Sequence, residues 1–417
     1  MNLKIDPKNI AKKLKMVDWW IILILFIFYA IGLVILAKVM AEPFTGEEKS
    51  LMDYVAKFEF SYIRRQTIFF LTGLLWIALF CAMDYRSLAR LTNVGWLVIM
   101  AALVLVLFFG KDVAGTKRWF QMGSFNLQPS EYAKLLIIIL ASKLCAESVD
   151  KYGRVMVNQA FFKTVGMVAL IVLLILFEPD TGTSIVCLLI FALVVFAGRL
   201  SWKAVLAIAG IAIAAFAVLF FTGGENGLMK DYARMRIVNF LGINNERVIE
   251  VLKIDPTKAE RFDSTQVEIA KISMAGGGIW GKGFFSTGSN AQLRYLPYAH
   301  TDFIFAAAVE TFGFVGGVVI IFLYLALLVR CVMLAFRARD NFGFFIIIGV
   351  VGMILAHVFE NIGMNIGIMP VTGIPLPFVS YGGSSMWANM LALGLVLMVN
   401  MQRDTKRRQH SNSPSDL

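Results

Sequence analysis

Long apolar runs, each bounded by charged residues, glycine or proline, recur along this chain and limit what it can fold into. Ten of them occur, and with weakly polar neighbours they approach the roughly 20 residues that an α-helix needs to cross a bilayer. The sequence is 59% hydrophobic and only 16% charged, so water-facing domains could not bury its apolar surface. The chain is therefore predicted to be a membrane protein. The runs are 19–40, 66–82, 94–109, 132–146, 164–177, 184–198, 203–221, 303–329, 343–364 and 385–401.

The predicted fold is an all-α polytopic bundle of about ten transmembrane helices, because backbone groups that face lipid must be paired within their own segment. Residues 1–18 form a basic tail, 19–401 the membrane domain, and 402–417 a second basic tail of disordered composition. A large loop, 222–302, separates the seventh and eighth helices. The fifth and sixth runs are joined by 178–182 and predict either two full spans or a re-entrant hairpin.

Basic residues flank the apolar runs and predict the orientation of the bundle. Lysines at 4, 8, 12, 13 and 15 precede the first run, which places the N-terminus in the cytoplasm by the positive-inside rule. An even number of spans returns the C-terminus to the same side, and residues 222–302 then lie on the extracytoplasmic side. The net charge of +11 follows from this distribution and indicates no nucleic-acid partner.

Polar residues cluster between the third and fourth runs. Lys117 and Arg118 lie there, and Pro129-Ser130-Glu131 has the pattern of a helix start with an acid in its first turn. Lys134 follows Glu131 by three residues and shares its helical face. Two interpretations stay open. One is a capped helix with a local ion pair, and the other is a pocket in which Lys117, Arg118 and Lys134 bind phosphate or pyrophosphate.

Two further segments are polar or flexible where apolar residues are expected. Glu178-Pro179-Asp180-Thr181-Gly182-Thr183-Ser184 is either an ordinary turn or part of a cavity, because carboxylates at membrane depth are costly unless they are used. Residues 276–283 fit the pattern G-x-x-x-x-G-K, but Gly283 stands where a nucleotide-binding loop needs serine or threonine. These glycines favour a hinge or a close backbone approach over nucleotide binding.

Asp302 directly precedes the eighth run and follows His300 and Thr301. Aspartate is favoured at helix N-caps, so a structural role is one alternative. The polar neighbours favour the other alternative, a functional site, and so does Glu310, about two turns deeper on the same helical face.

Residues 369–385 contain three prolines and three glycines and include Ser380. They predict an ordered non-helical loop that protein must cover, either a plug or a wall for a substrate. Glu360, Asn361 and Asn365 add polar groups to the preceding run.

Several of these motifs, in this order, resemble the SEDS family of bacterial cell-wall polymerases, which includes RodA, FtsW and SpoVE. The resemblance extends from the first apolar run to the last, and the Gly-Ile-Pro-Leu-Pro form of 373–377 is more like RodA than FtsW or SpoVE. Tyr298 and Thr311 depart from the pattern, because members usually have acids there. The motifs are Lys117-Arg118-Trp119, Gln128-Pro129-Ser130-Glu131 with Lys134, His300-Thr301-Asp302-Phe303-Ile304-Phe305, Pro370-Val371-Thr372-Gly373-Ile374-Pro375-Leu376-Pro377 and Ser380-Tyr381-Gly382-Gly383-Ser384.

The resemblance implies a peptidoglycan glycosyltransferase that polymerises lipid II during cell elongation and shape maintenance and releases undecaprenyl pyrophosphate. It implies that Asp302 is the general base, or that Asp302 orients the acceptor or a divalent cation, Mg²⁺ or Mn²⁺; no organic cofactor is implied. Lys117, Arg118 and Lys134 would neutralise the pyrophosphate. The residues expected to bind substrate are Lys117, Arg118, Trp119, Gln128, Ser130, Glu131, Lys134, Asp180, His300, Thr301, Glu310 and Ser380.

The resemblance also implies the bacterial cytoplasmic membrane, with both termini cytoplasmic and the active site on the extracytoplasmic face. The implied partners are a class B penicillin-binding protein, which supplies the transpeptidase, and the elongation proteins MreB, MreC and MreD. Three alternatives compete. The first is a lipid II flippase or other transporter, favoured by intramembrane acids and interrupted spans. The others are a division or sporulation polymerase of the FtsW or SpoVE type, and a non-catalytic scaffold for a synthase.

Overall fold

The structure, a computed structural model, describes residues 16–113, 116–123, 125–201, 231–240 and 263–402, with scattered positions from 206 to 224 and residues 250 and 252. Of the two predicted tails, only 16–18 and 402 fall within the described residues. Most of the seventh apolar run, 203–221, lies outside them.

Nine of the ten predicted runs coincide with helices in the described part of the chain. Several of these helices extend beyond the apolar run, because a helix continues until a cap or a breaker ends its hydrogen-bond ladder. Pro129 starts one helix at its first position, and Gly367, with a φ of +80°, follows the end of another. In chain order the described helices are α1 (Trp19–Met40), α2 (Leu51–Ala56), α3 (Phe60–Ala82), α4 (Arg86–Phe109), α5 (Pro129–Glu147), α6 (Gln159–Phe177), α7 (Thr181–Ala197), α8 (Asp231–Phe240), α9 (Asp263–Gly277), α10 (Ile304–Ala335), α11 (Asn341–Ile366) and α12 (Gly383–Gln402).

Among the described helices, seven are long and apolar enough to cross a membrane: α1, α3, α4, α6, α10, α11 and α12. The prediction of a polytopic helical membrane protein is thereby confirmed. Helix α7 has 17 residues and is joined to the 19-residue α6 by residues 178–180 alone. Helices of these lengths fit both the two-span and the hairpin interpretation of this pair.

Helices α11 and α12 form the interior of the bundle. In their most apolar stretches 72% and 83% of the residues are buried, compared with 17% in α4 at the periphery. Small residues let the interior helices approach closely, as they do in other membrane bundles. Gly349 of α11 is one of them, since a Cβ added to it would lie 2.6 Å from the side chain of Ile138 in α5.

The described ends of the chain meet at one end of the bundle, where Asn400 donates to the carbonyl of Met16 at 3.2 Å. Arg330 pairs with Asp18 there, at 2.7 Å. The loops at the opposite end contact one another. We call this the Asp302 end, and its loops are 41–59, 110–128, 178–180, 278–303 and 367–382.

A small antiparallel sheet at the Asp302 end departs from the predicted all-α fold. Strands β1 (Lys111–Val113), β2 (Thr116–Met122) and β3 (Phe125–Leu127) pair in the order β1-β2-β3. Gly123, with a φ of +61°, opens the two-residue connection between β2 and β3, a position typical of glycine in hairpins. Apolar periodicity does not reveal this sheet, because strands so short carry too few residues to show an alternation.

Helix α10 is interrupted at Gly313, whose φ of +72° and ψ of −173° are adopted readily only by glycine. The glycine-rich segment 277–283 crosses the break and pairs the released backbone groups, which is the condition for a broken helix at membrane depth. Of the two predicted roles for these glycines, the close approach is confirmed, since a Cβ on Gly281 would lie 2.2 Å from the carbonyl oxygen of Thr311. The pairing bonds, 2.9–3.2 Å long, run from the N–H groups of Lys282, Gly283, Phe314 and Val315 to the carbonyls of Glu310, Thr311, Gly278 and Ile279 respectively.

Candidate active site

Asp302 lies in a tight turn just before α10. The carbonyl of Tyr298 accepts hydrogen bonds from the N–H groups of Thr301, Asp302 and Phe303 at 3.0, 3.0 and 3.2 Å. The N-cap of α10 is Phe303, so the interpretation of Asp302 as the N-cap is wrong. Asp302 is half-buried, and its Oδ2 lies 3.5 Å from the position that a Cβ on Gly373 would occupy.

The loop of residues 367–382, which we call the proline-rich loop, packs against this turn. Ser380 Oγ donates to the carbonyl of Thr301 at 2.6 Å and accepts from the N–H of Leu376 at 2.8 Å. The N–H of Tyr381 donates to the carbonyl of His300 at 3.0 Å. Five apolar residues of the loop are buried, as predicted for a covered non-helical segment: Val371, Ile374, Leu376, Phe378 and Val379. The structure therefore brings His300, Thr301 and Ser380 to Asp302.

Three rings from distant parts of the chain meet beside the turn. The ring of Tyr62 lies 6.0 Å from that of His300 and 5.2 Å from that of Tyr381, and His300 and Tyr381 are 6.0 Å apart. Burial lowers the pKa of His300, so its imidazole is neutral at pH 7. Burial raises the pKa of Tyr381 and the nearby positive charge of Arg65 opposes this rise, so a cation lies at the edge of the cluster.

A second polar group surrounds Asp180. Gln128 Nε2 donates to Asp180 Oδ2 at 3.0 Å and to Ser130 Oγ at 3.1 Å. Trp119 donates to Gln128 Oε1 at 3.1 Å. Asp180 itself caps α7 through the N–H of Thr183, at 3.1 Å. Asp180 is therefore a turn residue that also belongs to a polar cluster, and a cavity at this segment stays a prediction.

Arg118 on β2 reaches the same turn. Its guanidinium donates to the carbonyls of Glu178, at 2.9 Å, and Pro179, and lies 3.9 Å from Asp180 Oδ1. Because side chains alternate along a strand, the neighbouring Lys117 points elsewhere and is exposed.

Lys134 is fully buried inside the bundle. Its ammonium lies 2.8 Å from Glu131 Oε1 and 2.8 Å from His357 Nε2. The predicted ion pair between Glu131 and Lys134 is thereby confirmed. The predicted pocket of three cations is wrong in that form, because Lys134 is engaged in the interior while Lys117 faces outward.

Glu310 is fully buried, and its carboxylate is saturated by donors from one loop. It accepts from Lys282 Nζ at 2.8 Å and from Ser289 Oγ at 2.9 Å. It also accepts the N–H groups of Asn290 and Ala291, at 2.8 and 3.1 Å. Glu310 thus holds the segment that leads to Asp302, and these contacts favour that structural role over the predicted contact with substrate.

Three buried amides also shape this site: Gln66, which sequence reasoning did not select, and Asn361 and Asn365, which it identified as polar groups in an apolar run but did not place here. Gln66 of α3 is buried; its Nε2 donates to the carbonyl of Ser380 at 3.1 Å, and its Oε1 accepts from the N–H of Gly382 at 3.4 Å. Asn361 and Asn365 of α11 donate to the carbonyl of Asp302 at 2.8 and 3.1 Å. The available signal was a polar amide in an apolar run, which is costly in a membrane unless it has a partner.

The donors for a metal ion are sparse. Within the described ranges, no three His, Cys, Asp or Glu side chains gather around one point. A divalent cation here would need oxygen ligands from a substrate pyrophosphate, as is usual for Mg²⁺. Among the described residues, His, Cys, Asp and Glu side chains alone therefore do not provide three ligands for a cation.

Fold and site together define a class: a polytopic helical membrane protein in which a broken helix and a proline-rich loop converge on one aspartate. The family model described as "Cell cycle protein", which covers FtsW, RodA and SpoVE, matches residues 18–405. The chain therefore belongs to this family.

Individual relatives agree with this assignment. The peptidoglycan glycosyltransferase MrdB of Escherichia coli K12 is 33% identical over 314 residues, which cover 74% of this chain and 77% of MrdB. A chain from a peptidoglycan synthase complex, described as coordinating polymerization and crosslinking, aligns with a TM-score of 0.69 at 26% identity and covers 93% of this chain and 99% of that one. The rod shape determining protein RodA of Thermus thermophilus aligns with a TM-score of 0.63 at 26% identity, over 93% of this chain and 98% of that one.

Proposed function

We propose that this chain is a peptidoglycan glycosyltransferase that polymerises lipid II into glycan strands during cell elongation. Membership of the family and the similarity to MrdB and RodA support the reaction and the elongation role. The observation that carries the proposal is the convergence of the α10 turn, the proline-rich loop and α11 on Asp302.

Asp302 is the proposed general base. Its carboxylate takes the proton from the 4-hydroxyl of an acceptor GlcNAc while that oxygen attacks the anomeric carbon of a lipid-linked MurNAc. The bond from this carbon to the pyrophosphate breaks, undecaprenyl pyrophosphate leaves, and the configuration inverts. General base catalysis of this kind contributes roughly 10²–10⁴-fold to a rate. Asp302 is half-buried, a position that suits the role because a general base must be reachable by the acceptor.

Arg118 is the proposed partner of the departing pyrophosphate. Its planar donor fork matches phosphate oxygens, and it lies on the Asp302 end beside Asp180. Lys117, exposed on the same strand, adds a second positive charge. Lys134 is not assigned this role, because it is fully buried inside the bundle with Glu131 and His357 at its ammonium. Arg118 is partly exposed, and its guanidinium has N–H groups beyond the two that bond to the carbonyls of Glu178 and Pro179.

The proposed location is the bacterial cytoplasmic membrane, with both termini in the cytoplasm and the Asp302 end outside. Basic residues support this orientation: Arg86 and Arg330 lie at the end of the bundle opposite to Asp302, paired with Asp340 and Asp18, where the positive-inside rule expects them. A prenyl-linked substrate would then reach the site from the lipid beside the helices.

The proposed partner is a class B penicillin-binding protein. The relative from a peptidoglycan synthase complex is described with both polymerization and crosslinking, and crosslinking is transpeptidase chemistry. The elongation proteins MreB, MreC and MreD follow from the proposed elongation role.

The structure weakens the case for a transporter. The interrupted helix that favoured transport is paired by residues 277–283, and the intramembrane acid Glu310 is saturated by Lys282 and its loop. The helix break and Glu310 are therefore not left to coordinate a transported ion. Of the other two acids that favour transport, Asp180 bonds to Gln128 and caps α7, and Glu178 has no hydrogen-bond partner among the described residues.

Purified protein incubated with lipid II in detergent, with and without the transpeptidase, separates these functions. A polymerase lengthens glycan strands and releases undecaprenyl pyrophosphate although no second compartment exists. A flippase or a scaffold leaves lipid II unchanged in this assay, and that result would overturn the proposal.

A further inference from the structure

Two asparagines of α11, Asn361 and Asn365, lie one helical turn apart and are fully buried. A spacing of four residues places both side chains on one face of the helix. Buried amides in a membrane bundle are costly unless they are hydrogen-bonded. Their partners therefore indicate what these two amides do.

The amide nitrogens bond to the backbone on both sides of the candidate active site. Asn361 Nδ2 donates to the carbonyls of Asp302 and Ile374 at 2.8 and 2.7 Å. Asn365 Nδ2 donates to the same carbonyl of Asp302 at 3.1 Å. Carbonyl oxygens only accept, so the NH₂ groups must face them and the orientation of each amide is fixed. One side chain thus ties the Asp302 turn to the proline-rich loop.

Asn365 also caps α10 from a neighbouring helix. Its Oδ1 accepts from the N–H of Ala306 at 3.0 Å, and this N–H is one of the first in α10, which have no partner within the helix. The N-cap residue Phe303 provides no side-chain acceptor. Asn365 thus supplies, from a neighbouring helix, the acceptor that the side chain of the N-cap residue does not.

We propose that Asn361 and Asn365 are positioning residues that hold Asp302 at a set distance from the proline-rich loop for glycosyl transfer. The proposal rests on the role assigned to Asp302 above. The bridge from Asn361 ends at Ile374, next to Gly373, and Gly373 is the residue whose added Cβ would lie 3.5 Å from Asp302 Oδ2. The same bridge therefore sets the gap between the carboxylate and the opposite wall.

Loss of the bridge is expected to affect turnover more than binding. Misplacement of a catalytic group by about 1 Å can lower a rate roughly 10²-fold. Asn361→Ala and Asn365→Ala should therefore lower kcat for lipid II polymerisation about 10–100-fold, with KM within about threefold of wild type, because neither side chain touches the substrate.

The matched control is Asn389→Ala. Asn389 is equally buried, on α12, but its Nδ2 bonds to the Ser385 carbonyl of its own helix at 2.8 Å. Asn389→Ala should lower the unfolding temperature in detergent while kcat stays within about threefold of wild type. Asn365→Asp is a further variant. It keeps the size and the acceptor for Ala306 but replaces the NH₂ group, which donates to the carbonyls of Asp302 and Asn361, with an oxygen, so its kcat should fall below that of Asn389→Ala.

If the Asn361 and Asn365 variants have the same kcat as Asn389→Ala, the proposal is wrong. It is also wrong if their kcat/KM falls because KM rises while kcat is unchanged. These outcomes are distinct from failure of the proposed function. That function fails if the wild-type protein does not polymerise lipid II or if Asp302→Asn is fully active, whatever the asparagine variants do.

Discussion

At the scale of single residues, Glu178 is a carboxylic acid that the fold keeps neutral. Burial raises its pKa to about 9, with Asp180 adding to the shift and Arg118 opposing it. Neither of its carboxylate oxygens has a hydrogen-bond partner among the described residues. An acid whose pKa is higher in the folded than in the unfolded protein loses stability as the pH rises, here between about 4.5 and 9.

We therefore expect Glu178→Gln, which has no charge to bury, to be more stable than the wild type at pH 8 and equally stable at pH 4. The measurement is the unfolding temperature of the purified protein in detergent across this range. Glu47→Gln is the control, because Glu47 is exposed and its replacement should leave the pH dependence unchanged. An advantage of Glu178→Gln that is greater at pH 4 than at pH 8 would contradict the assignment.

At the scale of elements, the break in α10 depends on Gly313. Any other residue there would be strained by a φ of +72°, and its Cβ would lie 2.2 Å from the carbonyl oxygen of Ile279. The backbone strain alone costs roughly 1–3 kcal/mol, and the collision adds to it. Gly313→Ala should therefore lower the unfolding temperature sharply and reduce the yield of folded protein in detergent.

Gly166→Ala provides the comparison for Gly313→Ala. Gly166 lies in α6, and a Cβ added there meets no atom within 4 Å. Alanine is a better helix former than glycine by about 1 kcal/mol, so this variant should be as stable as the wild type or more stable. If the two alanine variants are equally stable, the backbone of Ile279 does not lie as close to Gly313 as the structure shows.

The nine helices that coincide with apolar runs could be predicted from the sequence. The helices α2, α8 and α9, the sheet and the helix break could not. The apolar run 343–364 is long enough to cross a membrane as a helix, and it coincides with α11. Strand β2 has no such signal, because its seven residues mix Lys117 and Arg118 with aromatic residues. The break at Gly313 depends on backbone contacts with residues 277–283, which lie about 30 positions away.

Part of the candidate site could likewise be predicted from the sequence, and part of it could not. His300, Thr301 and Asp302 are contiguous, so their cluster could be seen in the sequence. Asn361 and Gln66 reach the site from α11 and α3, and spacing along the chain does not reveal which apolar helix faces which loop. Glu310 is expected from the sequence to contact substrate, because an acid deep in an apolar run is typical of a functional site. Its partner, Lys282, comes from a distant loop, and the sequence does not reveal this pairing.

At the scale of the whole molecule, the proposed orientation is open to chemical labelling. Tyr295 is 63% exposed at the Asp302 end, and Asp84 is exposed at the opposite end, beside Arg86. In a Cys81→Ser background, the remaining cysteines, Cys145, Cys187 and Cys331, are buried. A membrane-impermeant maleimide should label Tyr295→Cys in intact spheroplasts and Asp84→Cys only after permeabilisation. The reverse pattern would place the Asp302 end in the cytoplasm.

The proposed glycosyl transfer depends on the carboxylate of Asp302, and the rate of lipid II polymerisation by purified Asp302→Asn tests this role most directly. Asp340→Asn is the matched control, since Asp340 is also a half-buried aspartate just before a spanning helix, but at the opposite end, where it bonds to Tyr85 and Arg86. We expect Asp302→Asn to lower kcat at least roughly 10²-fold while Asp340→Asn stays within a few-fold of wild type. An Asp302→Asn protein that lengthens glycan strands at the wild-type rate would contradict the account.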